Sequence, residues 1–385
     1  MATTGVGAVA ALAGCLDSVT GSGGTETPNP ESDGDGTETP NPESTTDATE
    51  TPNPKTSFRF QWYRNHTTTF APLTAAEKWT WPEHGVDVTV KESEGSKSAA
   101  KAVASGKNQF GMGGFGAVLQ LIENGAPLTI IGVGMDPFGG VVSMAETGIT
   151  SWKDLEGKTV GQYPWGSTGP VAKAAMREKG VDLSKVSFQN VQPGSALKLL
   201  VNGKLDGMIR YTPQGKAKLA VDGHDANILR SVKVLNHLGV AVYARDKVVE
   251  NEPDMVSNVV GGWLDGIKMW ATDYDKVIAA HKKLVTKESS RPWNEKFHER
   301  LVGPMYAAYA PSEGTKPDHG KGYVPKQRMQ TTVDVFRDAG LLDEDHSAGD
   351  LYTNEFVEDN HDLAVETREA LVEALKDYDV GPDYV

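Results

Sequence analysis

The sequence predicts an α/β protein of two similar lobes. Three features of the 385 residues carry this: short apolar runs alternate with helical patterns from residue 57 onward, that grammar restarts near Ser151, and each half contains a helix closed by Gly-Lys and a short strand. The paired segments are Gly106-Lys107-Asn108-Gln109-Phe110-Gly111 and Gly203-Lys204-Leu205-Asp206-Gly207-Met208.

In the first half, 58–62 alternates as a strand, 74–79 reads as helix, and 86–90 as a strand with Val86, Val88 and Val90 on one face. An Ala-rich helix over 96–105 ends at Gly106, where a left-handed residue is wanted. A short strand over 108–112, a helix over 117–124 closed by Gly125 and Pro127, and a buried strand over 128–133 follow. In the second half, strands are expected over 158–162, 186–190, 205–210 and 226–229, with helices over 170–179, 195–201 and 214–221 between them. Residues 254–285 read as two helices, with Val256, Val259, Val260, Trp263, Ile267 and Trp270 in one apolar stripe that marks core. An amphipathic helix over 362–378 is stopped by Gly381-Pro382.

Ahead of this lies a different kind of sequence. Residues 5–16 are a short apolar stretch, below the roughly 20 residues that cross a bilayer as a helix, and they read as a signal-peptide core. Within it, Leu12-Ala13-Gly14-Cys15 resembles the lipobox of exported lipoproteins, with Cys15 as the sulfur that takes the lipid. An export signal opens on Lys or Arg and the first basic residue here is Lys55, so a basic segment ahead of Met1 is expected. Residues 17–56 repeat Glu-Thr-Pro-Asn-Pro at 26–30, 38–42 and 50–54. With almost nothing apolar to bury, they are expected to form a disordered, solvated tether.

Charge narrows the function. The net charge is −14, yet 36 bases and 29 acids lie between residues 55 and 340, because residues 1–54 carry nine acids and no base and 341–385 carry 14 acids and two bases. No run supplies the concentrated basic face that nucleic acid requires. A single Cys excludes a disulfide scaffold and a thiolate metal cluster, and no two histidines have the helical zinc-protease spacing, so no metal is expected. No P-loop precedes Gly157-Lys158-Thr159, and Trp165 stands where a nucleophile elbow at Ser167 needs glycine. Gly111-Met112-Gly113-Gly114-Phe115-Gly116 matches the dinucleotide fingerprint, with Asp136 twenty residues beyond. A glycine cluster between strand and helix is equally the mark of a backbone approaching a ligand, and no cofactor is expected.

Three segments carry a resemblance. Trp62-Tyr63-Arg64-Asn65-His66 resembles the opening loop of pyrimidine-precursor binders, and Ile149 through Gly161 resembles the entry into the second lobe of a broader branch. Ala339-Gly340-Leu341-Leu342 with Tyr352-Thr353-Asn354-Glu355-Phe356-Val357 is similar to the ending of the thiamine-precursor group. Over 58–357 the chain thus resembles substrate-binding lipoproteins of ABC importers, in the branch that binds thiamine pyrimidine precursors, sulfonates and taurine. The resemblance implies a periplasmic-binding-protein-like type II fold, two α/β lobes joined by two hinge crossings with a ligand cleft between them. The crossings are expected near 141–145 and 240–244. Lobe one would then comprise 57–143 and 241–385, and lobe two 144–240.

The site expected from this frame has Trp62, Tyr63, Asn65 and His66 after the first strand, and Gly114 and Phe115 bringing backbone N–H groups to the cleft. Trp165, Gly166, Ser167 and Thr168 stand at a helix start that favours an anion or carbonyl, and Arg210 and Tyr211 follow a strand of the second lobe. The resemblance implies a non-enzymatic monomer on the outer face of the cell membrane, anchored through Cys15, passing a small heteroaromatic solute to an ABC permease and its ATPase. Thr212-Pro213-Gln214-Gly215 stands where the pyrimidine-precursor group supplies aromatics and a glutamate, which keeps open a sulfonate, taurine or similar anion as ligand. A pyrimidine synthase-type enzyme on the same fold is the remaining alternative, and the cysteine-rich iron motif of that enzyme is absent.

Overall fold

The computed structural model describes residues 52–61, 70–164, 167–192, 194–288, 293–310, 316–343 and 347–380. The lipobox cysteine, the first two tether repeats and residues 62–69 lie outside them.

In chain order the first sheet region comprises β1 (Lys55–Phe60), α1 (Ala71–Ala75), β2 (Asp87–Lys91), α2 (Ser96–Ala104), β3 (Phe110–Gly114), α3 (Phe115–Glu123) and β4 (Leu128–Met135). The chain continues through β5 (Gly139–Met144), β6 (Thr159–Gln162), α4 (Thr168–Glu178), β7 (Ser187–Asn190), α5 (Ala196–Val201), β8 (Gly207–Tyr211), α6 (Thr212–Val221) and β9 (Ala226–Arg230). It returns in β10 (Val240–Arg245) and ends in helices α7 (Pro253–Thr272), α8 (Tyr274–Glu288), α9 (Glu295–Tyr309), α10 (Lys326–Asp338) and α11 (His361–Leu375).

Two five-stranded sheets result, in the orders β2-β1-β3-β10-β4 and β7-β6-β8-β5-β9. In each, the first three strands are parallel and the fourth is antiparallel to both of its neighbours. That fourth strand is the one delivered by a crossing: β5 enters the second sheet directly from β4, and β10 re-enters the first sheet from β9. This corrects the expected crossings. Residues 141–144 and 240–244 fall in ladder-bonded strands, and the chain passes between sheets at 136–138 and 231–239. A boundary at 143/144 would cut β5, whose Val141 and Val142 are buried in the second sheet. The expected tether end at 56 also moves, because Lys55 and Thr56 already pair with Asp87 and Val88.

Local chemistry explains the elements. β2 alternates exposed Asp87, Thr89 and Lys91 with buried Val88 and Val90, the pattern of a half-buried strand whose outer face meets water. The 149–161 motif is structural: Asp154 accepts from the Ser151 and Thr150 amides at 2.7 and 3.0 Å in a capping box, while Trp152 and Leu155 go into the core. The terminal motif is structural as well. Asn354 accepts from the Val324 amide at 2.8 Å and donates to its carbonyl at 3.1 Å, and Phe356 and Val357 are buried.

The stripe on α7 is buried throughout and packs on α1 and the turn after it. Trp81 donates to the Val259 carbonyl at 2.9 Å and the Thr80 hydroxyl to the Gly262 carbonyl at 2.5 Å. Gly262 permits this approach, since a Cβ there would lie 2.4 Å from Trp81 Cδ1. Gly262→Ala is therefore expected to destabilise the fold by about 1–3 kcal/mol, read as a lower urea midpoint.

Both crossings are gripped by α10. Arg328 bonds Asp136 on the first crossing through both terminal nitrogens at 3.2 Å and donates to the His237 carbonyl of the second at 2.8 Å. Thr332 accepts from the Leu238 amide at 2.8 Å. His237 is buried, its Nδ1–H directed at the Leu238 carbonyl at 2.9 Å. Burial pulls its pKa down to about 4, with the Leu238 carbonyl opposing and the Arg328 charge adding to the fall. The unfolded chain takes this proton near 6.5 and the folded one only near 4, so acidification through that window costs the native state about 3 kcal/mol. His237→Gln should lose this share. Its stability relative to wild type, followed by urea unfolding between those pH values, should rise as pH falls.

Candidate functional site

The C-terminal ends of the parallel strands of both sheets face a recess lined by Gln61, Met135, Phe138, Tyr211, Pro213, Gln214, Val240 and Met305. It encloses about 330 Å³ of atom-free space, part of it open solvent. Such a crevice beyond the carboxyl ends of strands is where open α/β sheets receive ligands. The lining joins the two lobes: Gln61 follows β1, Met135 ends β4, Phe138 ends the first crossing, Val240 opens β10, and Tyr211, Pro213 and Gln214 join β8 to α6. Met305 reaches it from α9.

Packing holds the lobes together around it. Val171 of α4 sits in one cluster with Phe115, Leu238 and Phe336, and a Cβ on Gly116 would lie 2.9 Å from that of Ser167. Ala217 of α6 joins the core built on the first sheet, and α6 packs along α9.

Of the described residues expected at the site, Tyr211 alone lines the recess. Its ring meets Phe138 edge-on at 6.5 Å, and burial pushes its hydroxyl up to about 12, so it stays protonated. Arg210 precedes it on β8, and neighbours on a strand point to opposite faces. The Arg210 stem packs against Gly215 of α6, its Nε is buried without a hydrogen-bond partner, and burial lowers its pKa. Ser167 precedes and Thr168 opens α4, and neither lines the recess. Ser167 makes no side-chain capping bond, and Thr168 Cγ2 would lie 3.1 Å from a Cβ on Gly139. Trp62, Tyr63, Asn65, His66, Trp165 and Gly166 lie outside the described residues.

Gly114 and Phe115 need correcting. The Gly114 amide donates to Gln61 Oε1 and Ser96 Oγ, both at 3.0 Å, and the Phe115 amide to the Gly239 carbonyl at 3.0 Å, so neither N–H is left for a ligand. The Phe115 side chain is fully buried in core. The glycines serve protein packing instead: a Cβ on Gly111 would meet the Tyr243 ring at 2.5 Å. Gly111, Met112, Gly113 and Gly114 form strand β3 and not a phosphate-holding turn, and Asp136 is paired with Arg328.

Sequence reasoning missed Gln61, Met135, Phe138, Val240 and Met305. Gln61 was within reach, since it lies inside the strand expected over 58–62 and directly follows β1. Its Oε1 accepts from both the Ser96 hydroxyl and the Gly114 amide, which fixes the carboxamide with Nε2 turned from that pair. Met305 shares the buried face of α9 with Leu301, Val302, Tyr306 and Tyr309, a helical period that marks core and does not by itself point to a ligand wall.

A family model described as NMT1/THI5 like matches residues 67–276, more than half of the chain. The 4-amino-5-hydroxymethyl-2-methylpyrimidine phosphate synthase of Schizosaccharomyces pombe is 25% identical over 191 residues, 46% of this chain. The match spans 54% of that relative, about half its length. Among solved structures, the periplasmic aliphatic sulphonate binding protein SsuA of Escherichia coli aligns with a TM-score of 0.61 at 16% identity, covering 77% of this chain and 91% of that one. The alkanesulfonate-binding SsuA of Xanthomonas axonopodis pv. citri, bound to MOPS, gives 0.57 at 16% identity over 78% and 98%. The periplasmic nitrate-binding protein NrtA of Synechocystis PCC 6803 gives 0.55 at 14% over 86% and 90%. The fold is therefore that of periplasmic binding proteins, two α/β lobes about a cleft, and the chain belongs to the NMT1/THI5-like family.

Proposed function

We propose that this chain is an extracytoplasmic solute-binding protein that captures a small heteroaromatic compound, such as a thiamine pyrimidine precursor, and delivers it to an ABC permease and its ATPase. The observation that carries this is the composition of the interlobe recess: the rings of Tyr211 and Phe138, the thioethers of Met135 and Met305, and the carboxamides of Gln61 and Gln214. Aromatic and thioether groups favour a flat apolar body, and carboxamides supply in-plane hydrogen bonds to ring nitrogens and amino groups. In this reading Trp62, Tyr63, Asn65, His66, Trp165 and Gly166 are further ligand-contacting residues. Capture and release by lobe movement need no catalytic step.

A second reading, an anionic ligand such as a sulfonate or taurine, is favoured by the buried Arg210 Nε without a partner and by the α4 start at Ser167 and Thr168. A lipid on Cys15 would hold the domain at the outer face of the cell membrane through the segment that precedes β1.

Calorimetric titration of the purified protein with 4-amino-5-hydroxymethyl-2-methylpyrimidine, thiamine, taurine and ethanesulfonate separates the two. Pyrimidine binding that weakens about tenfold in Tyr211→Ala but survives Arg210→Gln is the expected result. Sulfonate binding abolished by Arg210→Gln transfers the assignment to the anion, and turnover of a pyrimidine synthase type replaces both. Cys15→Ser is expected to shift the protein from the membrane fraction to the soluble fraction of its host.

A further inference from the structure

A second recess shares the hinge with the cleft, yet none of its lining residues lines the cleft. Asp136 and Leu238 of the two crossings, with Val133, Lys321, Tyr323 and Arg328, form its walls around about 280 Å³ of atom-free space, part of it open solvent. Lys321 and Arg328 are each only 3% exposed. Arg328 has taken the carboxylate of Asp136 at 3.2 Å. Lys321 Nζ donates to the Gly134 carbonyl at 2.7 Å and lies over the rings of Tyr309 and Trp263 at 5.4 and 5.9 Å. Among the described residues no carboxylate comes within ion-pair distance of it. The recess therefore gathers two buried cations about one carboxylate, and a buried ammonium without a counter-charge is among the costliest groups a fold can hold.

We propose that this recess binds a small monovalent anion, of chloride size, between the Lys321 ammonium and the Arg328 guanidinium. One negative charge balances the one excess positive charge. Gly320, Gly322 and Pro325 complete the lining and add no further charge to it. The titration of Lys321 agrees: burial pulls it down to about 7 against the opposing pull of Asp136, so near neutral pH the lysine sheds its proton unless a negative charge joins it.

The test is thermal unfolding of the full chain at about pH 8, titrated with sodium chloride against sodium gluconate at matched ionic strength. Wild type should show a saturable chloride-specific rise in Tm of about 2 °C or more, and Lys321→Met should show none. An equal rise in both proteins, or no chloride-specific rise in wild type, overturns the site. Should Lys321→Met not fold, chloride titration of wild type by calorimetry in two buffers of different ionisation enthalpy decides. Anion binding should draw a proton onto Lys321, making the heat buffer-dependent, and a buffer-independent heat overturns the proposal.

Discussion

The pairing of Arg328 with Asp136 is the contact on which the arrangement of the two lobes rests. One guanidinium from α10 reaches the first crossing through a carboxylate and the second through the Asn236 and His237 carbonyls. Crossing segments leave the sheets and lose their ladder partners, so their polar groups need other partners or become buried and unsatisfied. Arg328 and Thr332 supply those partners from a single helix, and they do so with Arg328 almost fully buried. The crossings are thus tied to one rigid element and to each other. Met135 and Phe138, within two residues of Asp136, line the cleft, so the same contact helps to set the position of two of its walls.

Strand exchange makes this hinge possible. Each sheet takes its antiparallel fourth strand from a chain segment that has just crossed, so neither sheet is complete without the connection. Such an antiparallel strand sits beside the parallel strands whose C-terminal ends open on the cleft. The lobes also meet away from the crossings, with Val171 among the side chains of the first lobe and Ala217 of α6 beside α9. The lobes are in apolar contact, and the cleft is what remains between those contacts.

Burial sets the chemistry of the polar groups near the hinge. Gln61 is locked by accepting from Ser96 and Gly114, so the backbone donor that a glycine-rich loop would offer a ligand is spent within the protein. His237 is held neutral by its surroundings, and Lys321 is pulled toward neutrality by the same kind of desolvation. The acidity of the chain lies elsewhere, in residues 1–54 and 341–385, and leaves the hinge region governed by a few buried charges.

Local pattern was enough for much of this protein. The alternation of strands and helices, the α7 stripe ending in Trp263 and Trp270, the glycine stops at Gly106 and Gly203 and the capping box at Ser151 all follow from periodicity and backbone preference, which neighbouring residues settle among themselves. The family resemblance rested on segments whose described parts are structural, such as Asn354 pinning Val324. Tertiary structure alone decided which sheet receives β5 and β10, because a short apolar strand reads the same whichever neighbours bond it. It also decided the cleft. Gly114 and Phe115 lost their expected role once Gln61, Ser96 and Gly239 took their amides, Arg210 and Tyr211 were parted by the pleat, and Met305 arrived from a helix far along the chain. Those outcomes depend on pairings between distant residues, and no local period encodes a partner that lies two hundred positions away.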